Sequence, residues 1–296
     1  MIPSTTVYEL PVERFALAAP VFAGATFDAP YMDAVFEGRS DARIFVDDPE
    51  RPGAALLCRT YEYFVGGDAS TRSLHRFIQE APAEVDVFQQ FYGYVPMTPD
   101  WQARLLADHG ERLVVIPRRS SHFDLANRWR TAELAITPPE DVALVPIDAA
   151  LATRIDDELY GGIGRFWGGY DQFARGGFGF CAMIGETIAS IAFAIVVSAR
   201  QTNIDVETAP AHRRRGLAVL TCAAFVTESL RRGLQPTWDS DAANLASAAL
   251  ARRVGFEEDA SFSELASPGR ADLNLSHGLW QREERGDGIT AWRRGG

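Results

Sequence analysis

Apolar and polar positions change period several times along the chain, and each change marks an expected element. Alternation over 42–47 and 54–65, around the turn-forming "DPERPG", predicts a hairpin that enters a long strand ending at Gly66-Gly67. Ser70–Glu80 and Pro99–His109 carry helical spacing, the latter with Thr98 as its cap and Gly110 as its stop. Arg112–Pro117 reads as a short strand. The adjacent Pro138-Pro139 can continue neither a helix nor a sheet ladder, so the chain is expected to divide there into residues 1–139 and 140–296.

Beyond that point the pattern tightens. Ala149–Tyr160 is a helix stopped by Gly161-Gly162, and "RFWGGYDQFARGG" is a short helical or loop segment rich in aromatics. Phe178–Ile184 and Ile188–Ser198 are strands around the turn "GET". The second is apolar on both faces, which predicts burial from both sides. Ile204–Thr208 is a third strand, and Leu217–Arg232 a helix with Val219, Cys222, Val226 and Leu230 on one stripe and Gly233 as its stop. "PTWDS" is a fourth strand, followed by a helix over 242–253 with Asp241 as cap. Leu279–Arg294 alternates around Asp287-Gly288 and predicts a hairpin closing the C-terminal sheet. The class is α+β: a mixed central sheet flanked by helices over 140–296, preceded by an α+β domain over 1–139.

Composition narrows the chemistry. With 296 residues, 47% of them hydrophobic and 23% charged, the chain can bury a large core. A net charge of −11 argues against a general nucleic-acid or anionic-membrane binder. All 29 basic residues are arginine, which excludes Schiff-base, lysine-base and P-loop chemistry. Cys58, Cys181 and Cys222 are too far apart for a disulfide framework, and His75, His109, His122, His212 and His277 lack metal-ligand spacing. No metal is therefore expected. With no apolar run of membrane length and no signal-like start, the expected compartment is the cytoplasm, as monomer or homodimer.

Three constellations carry candidate chemistry. In the first, Arg213-Arg214-Arg215-Gly216-Leu217-Ala218 opens a helix directly after a short strand. Free backbone N–H groups, the helix dipole and a residue without a side chain meet there, which suits phosphate or pyrophosphate; it equally suits a solvated basic turn. In the second, Asp205 and Glu207 share one strand face, either lining a pocket or facing solvent. In the third, Asn244 and Ser247 lie three apart in a helix start, as ligand contacts or as caps. One further string, Gly177-Phe-Gly-Phe-Cys-Ala182, satisfies G-x-G-x-x-G/A, but the pattern after Gly177 is strand-like where a dinucleotide site needs a helix.

Taken in order, these pieces resemble the GNAT superfamily of N-acetyltransferases. Arg213-x-x-Gly216-x-Ala218 is similar to its acetyl-CoA loop, Q/R-x-x-G-x-G/A, and Asn244…Ser247…Leu250…Gly255-Phe256 resembles the segment that follows. With "RFWGGYDQF" and "GFGFCAMIG" upstream, the string looks most like the subfamily of the zwittermicin-resistance acetyltransferase, which has an extra N-terminal region. The resemblance covers about 142–258. It implies that Arg213, Arg214, Arg215, Gly216, Leu217 and Ala218 cradle the pyrophosphate of acetyl-CoA, with Val206 and Thr208 giving backbone contacts and Asn244 and Ser247 further ones. An amine of a small molecule or peptide would attack the thioester directly, with Glu207 as base and Asp205 and Asp239 behind it. Trp167, Tyr170, Phe173 and Trp238 would line the substrate pocket. Many members carry a tyrosine as general acid where this chain has Ala251, a departure that keeps a non-catalytic acyl-CoA sensor open as an alternative. An interaction protein working through its N-terminal half is another; as a fold, the strands and helices of that half would suit a degenerate GNAT-like half.

Overall fold

The computed structural model describes residues 6–23, 25, 27, 29–59, 62–81, 85, 93–127, 137–267 and 278–295. In chain order the first elements are β1 (Thr6–Leu10), α1 (Ala29–Phe36), β2 (Arg43–Val46), β3 (Ala54–Arg59), β4 (Glu62–Gly67), α2 (Arg72–Glu80), β5 (Gly93–Pro96), α3 (Pro99–His109) and β6 (Val114–Phe123). Then come β7 (Ala143–Pro146), α4 (Ala149–Glu158), α5 (Ile163–Trp167), α6 (Tyr170–Gly176), β8 (Gly179–Ile184) and β9 (Thr187–Val197). The rest are β10 (Gln201–Thr208), α7 (Leu217–Arg231), β11 (Gln235–Asp241), α8 (Leu245–Val254), β12 (Phe256–Ala266), β13 (Trp280–Glu284) and β14 (Thr290–Arg294).

Two compact units form, and neither is a continuous stretch of chain. The first takes 1–25, 42–117 and 262–296; the second takes 26–41 and 118–261. The units therefore do not change over at the proline pair: α1 and the segment after 117 go with residues 140–261.

In the first unit β1 lies between β14 and β2, both antiparallel, and the meander continues through β3 and β4 before β5 joins in parallel. The expected long strand over 54–65 is in fact two six-residue strands folded on each other. Every residue of β3 is buried, as suits a strand covered on both faces. Gly67 at the end of β4 has φ +79°, and a Cβ there would stand 2.1 Å from the Gly53 carbonyl oxygen, so only glycine fits. Leu74, Phe77 and Ile78 form the buried stripe of α2. Thr98 caps α3 as expected, its hydroxyl accepting from the Trp101 N–H at 3.3 Å.

The tail hairpin is present but joins β1, not the C-terminal sheet. Its two tryptophans decide this. Trp280 stands edge-on to Phe77 at 5.0 Å, and its indole N–H donates to Glu80 at 2.7 Å. Arg294 reaches the same carboxylate at 2.8 Å, and Trp292 donates to Glu9 at 3.2 Å. Burying two indoles with their N–H groups satisfied outweighs sequence proximity.

In the second unit the strand order is β7-β8-β9-β10-β11-β6. All neighbours are antiparallel except β10 and β11. Ile188–Val196 of β9 are all buried, as the two-faced apolar pattern requires. On one face α7 and α8 pack through Val219, Cys222, Phe225, Val226, Ala251 and Val254 onto Ala192, Ala194 and Ile204. β6 is longer than expected, because "RRSSHF" has no apolar alternation to announce its pairing with β11. α8 starts at Leu245, three residues later than expected: Asp241 ends β11 and takes the Ala243 N–H at 2.7 Å, leaving Asn244 as the cap. Gly179–Ile184 is a strand, so the string Gly177–Ala182 is not a dinucleotide turn.

Candidate active site

The site begins with a parting of strands. β10 and β11 are paired only at Gln201–Asn203 with Gln235–Thr237, yet they run on to Thr208 and Asp241. Ala209 donates to the Ala189 carbonyl of β9, which fixes the alternation: the amides of Val206 and Thr208 point away from β9, toward the β11 side. Both are covered by the strand's own carboxylates. Val206 N–H donates to Asp205 Oδ1 at 2.7 Å and Thr208 N–H to Glu207 Oε1 at 3.0 Å.

Asp205 and Glu207 share a face, as the strand period predicts, but they are held differently. Glu207 pairs with Arg213 at 3.1 Å, and Arg213 also donates to the Thr208 carbonyl at 3.1 Å, so both belong to the base of the arginine turn. Asp205 is half-buried opposite Phe193, and its Oδ2 accepts the hydroxyl of Tyr160, from the loop after α4. Burial pushes the Asp205 carboxyl above its usual range, while the Tyr160 and Val206 donors pull it back and Glu207 adds to the rise. Tyr160 is raised in turn, by burial and then by Asp205. Asp239 on β11 is fixed by Asn203, whose amide nitrogen donates to it at 2.7 Å and to Thr237 at 3.0 Å.

The arginine turn has the geometry of an anion cradle. Gly216 has φ +80° and Arg214 +62°. α7 begins at Leu217 with no side chain capping it, so its first N–H groups are left for another acceptor. A Cβ on Gly216 would meet no atom within 4 Å, which leaves clear space over the turn. Arg215 is tied to Asp141 at 2.8 Å and Arg213 to Glu207. Ala218 follows Leu217 inside the first turn of the helix.

The remaining expectations divide. Asn244 and Ser247 serve the fold: Asn244 Oδ1 takes the Ser247 N–H at 3.0 Å, and the Ser247 hydroxyl accepts from Trp238 Nε1 at 2.9 Å. Trp238 is corrected to a core residue, because it lies on the opposite face of β11 from Asp239, edge-on to Phe256 at 5.3 Å. Phe173 is fully buried against Trp167 and Phe193, again a packing role. Trp167 donates to the Ala194 carbonyl at 2.8 Å. Tyr170 is half-buried, and its neighbour Asp156 takes the amides of Gly162, Ile163 and Gly164 at 2.8–2.9 Å. Ala251 is buried, so no phenol stands at that point of α8. Tyr160 is the residue that the sequence did not single out; its partner lies 45 residues away, and nothing local to "DELYGG" announces it.

Among the described residues no three His, Cys, Asp or Glu come together to hold a metal, and no helix is long and apolar enough to cross a membrane. His277 lies outside the described residues.

Comparison with known proteins decides the family. The model of the GNAT acetyltransferase family matches residues 20–265. The chain belongs to the GNAT acetyltransferase family. The match starts far upstream of residue 142, where the sequence resemblance begins, and takes in residues of both units. An "Uncharacterized N-acetyltransferase YdfB" of Bacillus subtilis is 25% identical over 218 residues, covering 72% of this chain and 81% of that protein. A GCN5-related N-acetyltransferase-like protein from Streptococcus suis shares the fold at TM-score 0.68 and 23% identity, over 86% of this chain and 98% of its own. A tandem GNAT protein from the clavulanic acid biosynthesis pathway aligns at TM-score 0.59 and 12% identity, over 98% of both chains. The GNAT fold and its tandem form thus accommodate the N-terminal part as well, and the chain is an acyltransferase.

Proposed function

We propose that this GNAT acyltransferase is an acetyl-CoA-dependent N-acetyltransferase that acts on a primary amine of a small molecule or peptide. The observation that carries the reading is the parting of β10 from β11 beyond Asn203 and Thr237, with the uncapped start of α7 at Gly216 beside the end of β10. The N–H groups of the turn and Arg214 would hold the pyrophosphate. The Val206 and Thr208 amides, on the open side of β10, would take carbonyl oxygens of the pantetheine arm and thioester once the carboxylates yield them. Acetyl-CoA supplies an acetyl group on a thioester whose thiolate leaves readily.

The amine must lose a proton, and Asp205 is the carboxylate best suited to accept it. Its affinity for a proton is raised by burial, whereas Glu207 is engaged by Arg213. The strings "RFWGGYDQF" and "GFGFCAMIG" further support a place near the zwittermicin-resistance acetyltransferases.

Thiol release from acetyl-CoA across a panel of amines tests the reading. Release with at least one amine, reduced by Asp205→Asn, is expected. Binding of acetyl-CoA without release for any amine would support a sensor instead. If Glu207→Gln is inactive while Asp205→Asn is not, the base is Glu207.

A further inference from the structure

We infer that Tyr160 is a positioning residue that sets the proton affinity of Asp205, holding that carboxylate in its ionised, acceptor form against the Phe193 ring. The inference rests on the reading of Asp205 as proton acceptor and concerns what makes it fit for that role.

The geometry clamps Asp205 from both ends. Oδ1 takes the Val206 N–H and Oδ2 takes the Tyr160 hydroxyl. Tyr160 itself is pinned by packing, edge-on to Phe193 at 5.3 Å, and Phe193 is the residue opposite Asp205 in the ladder. Asp156 fixes the loop that carries it, through the amides of Gly162, Ile163 and Gly164. The phenol is therefore held through its ring by Phe193, on a backbone whose next residues are fixed by Asp156.

Few charges compete for control of Asp205. Glu207, on the same strand, opposes its ionisation, and Arg118 of β6 favours it. β9 presents Phe193 on the same face, whereas Cys222 of α7, a thiol that burial keeps protonated, lies with Ile204 on the other face of the sheet. Asp239 on β11 is held by Asn203, which also receives the Tyr31 hydroxyl of α1 at 3.4 Å. Asp156 acts on Tyr160, raising it, as do Asp205 and Glu207. Against burial, the phenol is thus the largest single influence favouring the carboxylate.

Tyr160→Phe removes one hydroxyl and keeps the ring against Phe193. The acid limb of its kcat/KM profile should move to higher pH by roughly one to two pH units, the equivalent of one hydrogen bond to a charged group. At pH values above the moved limb its activity should return to within a few-fold of the parent. The same displacement should appear in the carboxyl signal of Asp205 followed by NMR in carboxyl-labelled protein, identified by its loss in Asp205→Asn.

An unmoved limb and an unmoved carboxyl signal would overturn the inference. So would a large loss of activity at every pH with the limb in place, which would make Tyr160 a proton donor to the reaction. If the parent protein releases no thiol with any amine, the proposed activity fails, but the NMR titration still decides whether Tyr160 controls Asp205.

Discussion

Gly216 concentrates the requirements of the arginine turn in one backbone angle. At φ +80° a residue with a Cβ is strained by about 1–2 kcal/mol, and a β-branched one by more. Gly216→Val should therefore weaken acetyl-CoA binding by calorimetry about tenfold or more while circular dichroism stays unchanged. Equal affinity would show that the turn is only a solvated loop. Arg214 holds a similar angle with a side chain, so Arg214→Gly should raise the melting point slightly even as it removes a charge from the cradle. A different residue governs acid sensitivity. His109 is 4% exposed, and burial, helped by Arg112, lowers its pKa to about 4 from 6.5. Its folded pKa lies below the unfolded one, so stability is full above pH 6.5 and is lost as pH falls toward 4, by about 3 kcal/mol. His109→Phe should flatten the melting temperature across that window; an unchanged slope would assign the acid sensitivity to other groups.

At the scale of elements, the strongest dependence is that of the first unit on its terminal hairpin. Trp280 fills the space beside Phe77 and shares the Glu80 carboxylate with Arg294. Trp280→Ala should cost about 3–5 kcal/mol in denaturant unfolding, and a loss below about 1 kcal/mol would mean that the hairpin rides loosely on β1. The hairpin itself was legible, because Asp-Gly between alternating segments is a local signal. Its destination was not, since pairing with β1 joins residues at opposite ends of the sequence. Trp238 shows a signal that was present but unused: strand alternation alone puts it on the face opposite Asp239, among the core side chains. β9 and α7 were readable for the reverse reason, since burial on both faces and a helical stripe are each written in consecutive residues. Asp205 and Glu207 were correctly placed on one face, yet which of them is tied up by Arg213 depends on how a side chain folds back across a turn.

For the whole molecule, the interleaving of the two units means that the two halves of the sequence do not correspond to separable pieces. β11 needs β6, which begins at Val114, and β9 and β10 are covered by α1, from Ala29–Phe36. A fragment of residues 140–296 lacks both, and its hairpin lacks β1. It should show no cooperative thermal transition by circular dichroism, whereas a sharp melt would mean that residues 140–261 carry enough core alone.

The turn Arg213–Gly216 has one more consequence, set by its cations. A lysine lining a site that binds a thioester is slowly acylated without any enzyme whenever it loses its proton, and side chains lining such a site are the first to be consumed. A guanidinium stays protonated at every physiological pH and offers no nucleophilic lone pair. Three of them stand at this turn, and no lysine occurs anywhere in the chain. Prolonged incubation with excess acetyl-CoA should therefore leave every side chain unmarked in a peptide map, so that the proposed donor does not poison the protein that binds it.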